Sequence, residues 1–208
     1  MHPRLSPARY GSAFLSFPAA SISMKTVLTT ERLKIRPFLK KDADDFYEYM
    51  SLEETYRFER GQPVSRRKAG AIVAEFSKTS SLWAVTLAEP AGKLIGHISF
   101  FQIQPQLLNT WEIGFIFNPR FQNQGYATEA SRALISYAFT KLKAHRITAT
   151  CSPDNIASWK VLEKCGMRRE GLYRKNFLLA LDENGAPIWL DSFAYAILED
   201  EFQEYTAL

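Results

Sequence analysis

Phe117-Asn-Pro-Arg-Phe-Gln-Asn-Gln-Gly-Tyr-Ala-Thr-Glu129 is the stretch on which the reading of this chain turns. An apolar run, Trp111-Glu-Ile-Gly-Phe-Ile-Phe117, enters it and stops at Asn118-Pro119. Proline brings no N–H to a sheet ladder and restricts the residue before it, so a strand ends there. A polar loop with one glycine, Gly125, follows. A helical pattern then runs to about Leu142, with Ala130, Ala133, Leu134, Tyr137 and Ala138 on one face. The start of a helix has backbone N–H groups without intrahelical partners and carries the positive end of the helix dipole. Entered through a glycine that lets backbone come close, such an end is suited to an anion. Arg120 adds positive charge nearby. A plain strand–turn–helix with a capping loop would use the same residues without a ligand. The form Gln122-x-x-Gly125-x-Ala127 is neither a Walker loop, since no Gly-Lys-Ser/Thr follows, nor a GxGxxG dinucleotide loop.

Outward from this loop the chain alternates strand and helix. Leu28 to Phe38 sets Leu33, Ile35 and Pro37 against Arg32, Lys34 and Arg36, a period of two that predicts a first strand. Asp42 to Met50 reads as a short amphipathic helix. Ser65 can cap a second, with Ala69, Ile72, Val73 and Phe76 at helical spacing up to about Lys78. Leu82 to Leu87 and Leu94 to Phe101 are strands flanking the turn Glu89-Pro-Ala-Gly92. After the central helix, His145 to Cys151 is a β-branched strand, and Asn155 to Lys164 a helix stopped by Gly166. Met167 to Leu181 and Ile188 to Leu198 are joined by Asp182-Glu-Asn-Gly185, a hairpin signal. The order β-α-α-β-β-β-α-β-α-β-β, without repeat or low-complexity linker, predicts one α/β domain over residues 26–200, with a tail at 201–208.

The chain has 208 residues and is 46% hydrophobic, enough for one packed core. Its apolar runs are far shorter than the roughly 20 residues that span a bilayer, which predicts a soluble protein without membrane contact. Net charge is +4. The densest basic groups, Arg66-Arg67-Lys68 and Arg168-Arg169, are short and lack interleaved aromatics, so they read as solvated faces and no nucleic-acid binding is expected. Two cysteines, Cys151 and Cys165, form neither a disulfide framework nor a zinc motif. A cytoplasmic location and no metal are the corresponding expectations. The first 30 residues contain no Asp or Glu. They fit a transit-like peptide, a disordered tail or an upstream over-extension. The last is preferred, because the structured pattern begins just after Met24, and residues 1–25 are expected to lie outside the domain.

Three further blocks accompany the loop. Gln122-Asn-Gln-Gly125-Tyr-Ala127 resembles the acetyl-CoA pyrophosphate loop, Gln/Arg-x-x-Gly-x-Gly/Ala, of the GNAT N-acetyltransferases. Asn155-Ile-Ala-Ser158-Trp-Lys-Val-Leu-Glu-Lys164-Cys-Gly166-Met167 resembles the family's next block. Thr30-Glu-Arg-Leu-Lys-Ile-Arg-Pro37 resembles the opening strand of its RimJ/RimL branch, where Glu170-Gly171 and Asp191 also fall into place. The resemblance covers about residues 26–198. It implies a mixed, mostly antiparallel twisted sheet with helices on both faces and central strands splayed at the acetyl-CoA site. It also implies that backbone amides of Gln122, Asn123, Gln124, Gly125, Tyr126 and Ala127 hold the pyrophosphate. Phe115, Ile116 and Phe117 would pair with the pantetheine arm as an added strand does. Asn155 would touch the cofactor, although an Asn there also suits a helix cap.

Amine attack on a thioester needs a proton taken from an ammonium and a donor for the leaving thiolate. Many GNAT enzymes use a tyrosine in the helix after the Asn block; Leu162 occupies that place here. Ser158 is the nearest hydroxyl that could substitute, or else a small helix-surface residue. Glu112 is the first candidate base, because burial beside Trp111 and Ile113 would raise its pKa. A solvated or ion-paired strand glutamate is the alternative, and strand parity decides between them. His97 is second, being more often a satisfied core residue. Cys151 reads as a small buried hydrophobe.

The expected activity is acetyl-CoA-dependent acetylation of a primary amine, foremost the N-terminal α-amine of a protein such as a ribosomal protein, as the RimJ/RimL resemblance implies. A small amine (polyamine, amino acid or antibiotic) and a non-catalytic acyl-CoA-binding module are the alternatives. Fold alone does not separate them. The protein is expected to be a monomer or homodimer. The acceptor would be read by loops such as 52–64 and 176–188.

Overall fold

The computed structural model describes residues 22–90 and 92–202. The opening segment makes two strands rather than one. β1 (Leu28–Thr29) and β2 (Leu33–Pro37) pair antiparallel. The turn between them is closed by Thr30, whose N–H donates to the Leu33 carbonyl at 2.9 Å and whose hydroxyl accepts from the Leu33 N–H at 3.0 Å. A threonine can cap its own turn in this way, which periodicity does not register. Two helices follow, α1 (Ala43–Met50) and α2 (Arg66–Phe76), the second capped by Ser65, whose hydroxyl accepts from the Lys68 N–H.

Three antiparallel strands come next: β3 (Leu82–Leu87), β4 (Leu94–Gln102) and β5 (Thr110–Phe117). Helix α3 (Tyr126–Thr140), strand β6 (Arg146–Cys151) and helix α4 (Ile156–Lys164) lead to the hairpin β7 (Arg168–Leu181) and β8 (Pro187–Leu198). The hairpin turn is held as the Asn-Gly signal predicts: Gly185 has φ 80°, and Asp182 Oδ1 accepts from Asn184 and Ala186 N–H. One eight-stranded sheet results, in the order β1-β2-β3-β4-β5-β6-β8-β7. Only the β5–β6 pair is parallel among the described residues, because α3 crosses over between them.

That pair is also short. Thr110, Trp111 and Glu112 face Arg146, Ile147 and Thr148, and the pairing stops there. Beyond it β5 stays bound to β4 as far as Phe117, and β6 to β8 as far as Cys151. Each half of the sheet follows its own antiparallel partner, so the right-handed twist opens a wedge between the two strands with Glu112 at its apex. The splay implied by the family resemblance is therefore present.

Two cores pin the halves together. Trp83, Val85, Ile98, Phe100, Ile113 and Ile147 pack with Leu134 and Ile135 of α3 on one face. Phe38, Phe46, Tyr49, Val73, Ala84 and Leu94 pack with α1 and α2 on the other. Helices thus cover both faces, as expected. Ile22 joins the first core, 9% exposed, although it precedes the expected domain start. Ile22→Ala is expected to lower stability by about 2 kcal/mol, three carbons at about 0.8 kcal/mol each; denaturant unfolding measures it. The expectation for residues 1–21 lies outside the described residues, as does that for 203–208, but Phe202 stacks on Phe139 with centroids 4.9 Å apart. Among the described residues no helix is long and apolar enough to cross a membrane.

Candidate active site

Two adjoining cavities occupy the wedge. The outer, about 660 Å³, runs along the loop before α3 and the start of α4. The inner, about 210 Å³, passes between β5 and β6 toward the α1–α2 side. It is lined from both faces of the sheet, by Glu112 and Gly114 as well as by Ile113 and Leu162, which only an opened strand pair allows.

The outer cavity touches Gln122, Asn123, Gly125, Tyr126 and Ala127, but not Gln124. The Gln124 side chain turns back to donate to the Arg120 carbonyl at 2.9 Å, and the Gln124 backbone carbonyl accepts from Arg32 at 3.1 Å. Gly125 sits at the N-cap of α3 with φ 82°, a left-handed conformation in which an L side chain is strained. Asn123 is left-handed too, at φ 58°. Both turns lie against the outer cavity at the start of the helix.

Arg120 stands just before the loop but does not line the outer cavity. It is 77% exposed and pairs with Glu48 of α1 at 3.2 Å. Arg32 performs the bracing instead. Its guanidinium binds Glu129, in the first turn of α3, at 2.6 Å and lies 4.4 Å from the centre of the Tyr126 ring. Thr30 donates to the same carboxylate at 2.6 Å. The opening block thus clamps the loop, a role that its spacing in sequence does not disclose.

Phe115, Ile116 and Phe117 line the outer cavity along the edge of β5 that β6 has left. Asn155 caps α4, its Oδ1 accepting from the Ser158 N–H at 3.1 Å, and both residues border both cavities. Glu112, half-buried, borders the inner cavity alone, and burial raises its carboxyl above the usual range. It pairs across the sheet with Phe101, on the same face as His97 and Ser99, so its parity directs it at the inner space. His97 is buried, its Nδ1 2.7 Å from the Tyr49 hydroxyl, and burial pushes its pKa down to about 4. It is neutral at physiological pH and a weak base. Cys151 borders the inner cavity, with its thiol pushed up to about 11 by burial, so it stays protonated and unreactive.

Sequence reasoning missed Glu59. It follows a short 3-10 turn (Glu53–Tyr56) in the α1–α2 connection, a segment without periodicity. Burial pushes its carboxyl up to about 7. Among the described residues no group of three or more His, Cys, Asp or Glu could hold a metal ion.

The cavities offer the features that a long, extended ligand and a second reactant could use. There is an open strand edge along β5, a helix start with a left-handed glycine, and a second cavity behind the wedge. This fold and cleft define an acyltransferase of the splayed-sheet type. Residues 32–168 match the model of the acetyltransferase (GNAT) domain, and the chain belongs to that family, whose members use acetyl-CoA. It is 38% identical over 175 residues, 84% of this chain and 98% of the relative, to the uncharacterized N-acetyltransferase YnaD of Bacillus subtilis. It is 28% identical to the Escherichia coli [ribosomal protein uS5]-alanine N-acetyltransferase over 74% of this chain and 84% of that one. The crystal structure of a GNAT-family acetyltransferase from Bacillus anthracis superposes with a TM-score of 0.74 at 35% identity, covering 84% of this chain and 99% of that chain.

Proposed function

We propose that this enzyme transfers the acetyl group of acetyl-CoA to a primary amine, and that its acceptor is the N-terminal α-amine of a protein. The observation that carries the transfer is the wedge: a cofactor-sized cavity along β5 meets a smaller one at Asn155 and Ser158. The protein acceptor is supported by likeness to the ribosomal-protein enzyme and by the resemblance of the opening block, Thr30 to Pro37, to that of the RimJ/RimL branch. A small amine is the second reading, favoured by the inner cavity's volume of about 210 Å³.

Bound acetyl-CoA would supply an activated thioester. The residues that would hold it are the loop amides at Gln122, Asn123, Gly125, Tyr126 and Ala127, with the open edge at Phe115 to Phe117. Gln124 would act as a brace, through its bond to Arg32. Ser158, at the junction, is the hydroxyl available to the leaving sulfur, since Leu162 offers none. A carboxylate of the inner cavity would take the amine proton; Glu112 is the candidate that the sequence supplies.

Acetyl-CoA at about 100 times its dissociation constant is expected to add roughly 2.7 kcal/mol of stability. For a chain of this size that is a rise of about 5–10 °C in thermal midpoint. No shift with ligand well above micromolar would remove the cofactor assignment. Release of CoA thiol in the presence of N-terminal peptides, polyamines and amino acids then identifies the acceptor. Turnover with peptides carrying a free α-amine, lost on blocking it, supports the first reading. Turnover with small amines alone supports the second.

A further inference from the structure

Six residues border both cavities: Phe58, Glu59, Phe115, Ile116, Asn155 and Ser158. Glu59 alone of these carries an ionisable side chain. The junction is where a thioester in the outer cavity and an amine in the inner one would meet. Glu112, by contrast, stands at the wedge apex and borders only the inner space.

The position of Glu59 is fixed from both sides. Behind it, Thr55 donates to the Tyr49 carbonyl at 2.6 Å and the Tyr56 hydroxyl to the Met50 carbonyl at 3.0 Å. Ahead of it, Arg60 donates to the Leu178 carbonyl at 2.5 Å and lies 5.0 Å from the centre of the Phe177 ring, tying the segment to β7. Gly61 follows at φ 115°, a conformation that strains an L side chain, and a Cβ there would meet the Tyr56 ring at 3.1 Å. The Glu59 carboxylate itself accepts no hydrogen bond and joins no ion pair among the described residues. Evolution of a charge in such a place without a partner is costly unless the group works there.

We infer that Glu59 is the group that takes the proton from the acceptor ammonium. This rests on the acetyltransferase reading above. The ammonium gives one proton to the Glu59 carboxylate. The freed nitrogen pair forms the N–C bond to the thioester carbonyl as the C–S bond breaks. The Ser158 hydroxyl gives its proton to the departing sulfur, making CoA thiol, and takes the second amine proton in its place, while Glu59 returns its proton to solvent. A carboxyl with a pKa near 7 is matched to this exchange at neutral pH. The titratable groups lining the two cavities with it are His97, neutral, Glu112, Cys151 and Asp191 on the inner side, Tyr126, Asp154, Lys160 and Lys164 on the outer side, and Glu54 and Arg57 on the segment itself. Asp191 is already engaged, accepting from the Lys175 N–H at 2.7 Å.

Glu59→Gln, Glu59→Asp and Glu112→Gln are compared with wild type on one acceptor that the wild type acetylates. Glu59→Gln is expected to lower kcat by about 10² to 10³-fold while leaving acetyl-CoA affinity unchanged. Glu59→Asp is expected to retain part of the activity, and Glu112→Gln to lose less than Glu59→Gln. The wild-type kcat/KM should fall as pH drops through about 7, a limb absent from Glu59→Gln. A second readout needs no turnover. Because the fold raises this pKa, the charged form destabilises the native state, so Glu59→Gln should gain thermal midpoint over wild type as pH rises from about 4.5 to 7 and not below. A loss on Glu112→Gln as large as that on Glu59→Gln overturns the assignment, as does an unchanged Glu59→Gln profile. A wild type that binds no acetyl-CoA and acetylates no amine overturns the acetyltransferase reading, and this assignment with it.

Discussion

Gly125→Val is expected to raise the dissociation constant for acetyl-CoA by about 100-fold, about 2.7 kcal/mol, while the chain still folds. Gly125 borders the outer cavity at the N-cap of α3, so a branched side chain there would stand where a diphosphate must reach the helix amides. The fold also suffers, because at φ 82° an L residue costs roughly 1–2 kcal/mol. That is a fraction of the 5–15 kcal/mol typical of a domain. A Cβ alone would meet only Arg32 Nη2, at 3.4 Å, an ordinary contact. Gly125→Ala therefore carries most of the backbone strain with little of the bulk and separates the two effects. Calorimetric titration of both variants decides. Wild-type affinity in Gly125→Val would mean that the loop does not hold the diphosphate.

Gly96→Ala is expected to lower stability by about 2–3 kcal/mol and to weaken acetyl-CoA binding as well. Gly96 of β4 lies opposite Phe117 of β5. An added Cβ would stand 2.7 Å from the Ile116 carbonyl oxygen and 2.7 Å from the Phe117 ring. Backbone cannot rotate aside, and the ring would be driven toward the outer cavity that it lines. Gly114→Ala is the control. Its Cβ would meet only the Ser99 hydroxyl, at 2.8 Å, the end of a short side chain that can turn away. Thermal unfolding should therefore show the larger fall for Gly96→Ala, roughly 5–10 °C. Equal falls would show that the β4–β5 contact yields.

Much of the fold was legible because its signals are local. Proline at 119 ends β5, Ser65 and Asn155 cap their helices, and Asn184-Gly185 turns the last hairpin. Each signal acts within four residues, so it survives any tertiary arrangement. The opening strand was read as one because alternation is blind to a turn that a threonine closes on itself. Arg120 was given the loop because it is adjacent in sequence. Its long side chain instead reaches Glu48, 72 residues away.

The sequence by itself determined the succession of elements after the opening turn and the loop at Gln122 to Ala127, since backbone sterics and helix-end polarity depend on immediate neighbours. Only the tertiary structure decided the rest. The wedge exists because β5 and β6 are each held by a different antiparallel partner, and twist parts them beyond Glu112. Arg32 comes to the loop before α3 because β2 lies beneath α3, bringing residues 97 apart to one carboxylate. Glu59 reaches the cavity junction through a bond from its neighbour Arg60 to Leu178, 118 residues away. A contact of that length leaves no periodic trace, because its energy comes from packing the two ends of the chain together and not from the order of the residues between them.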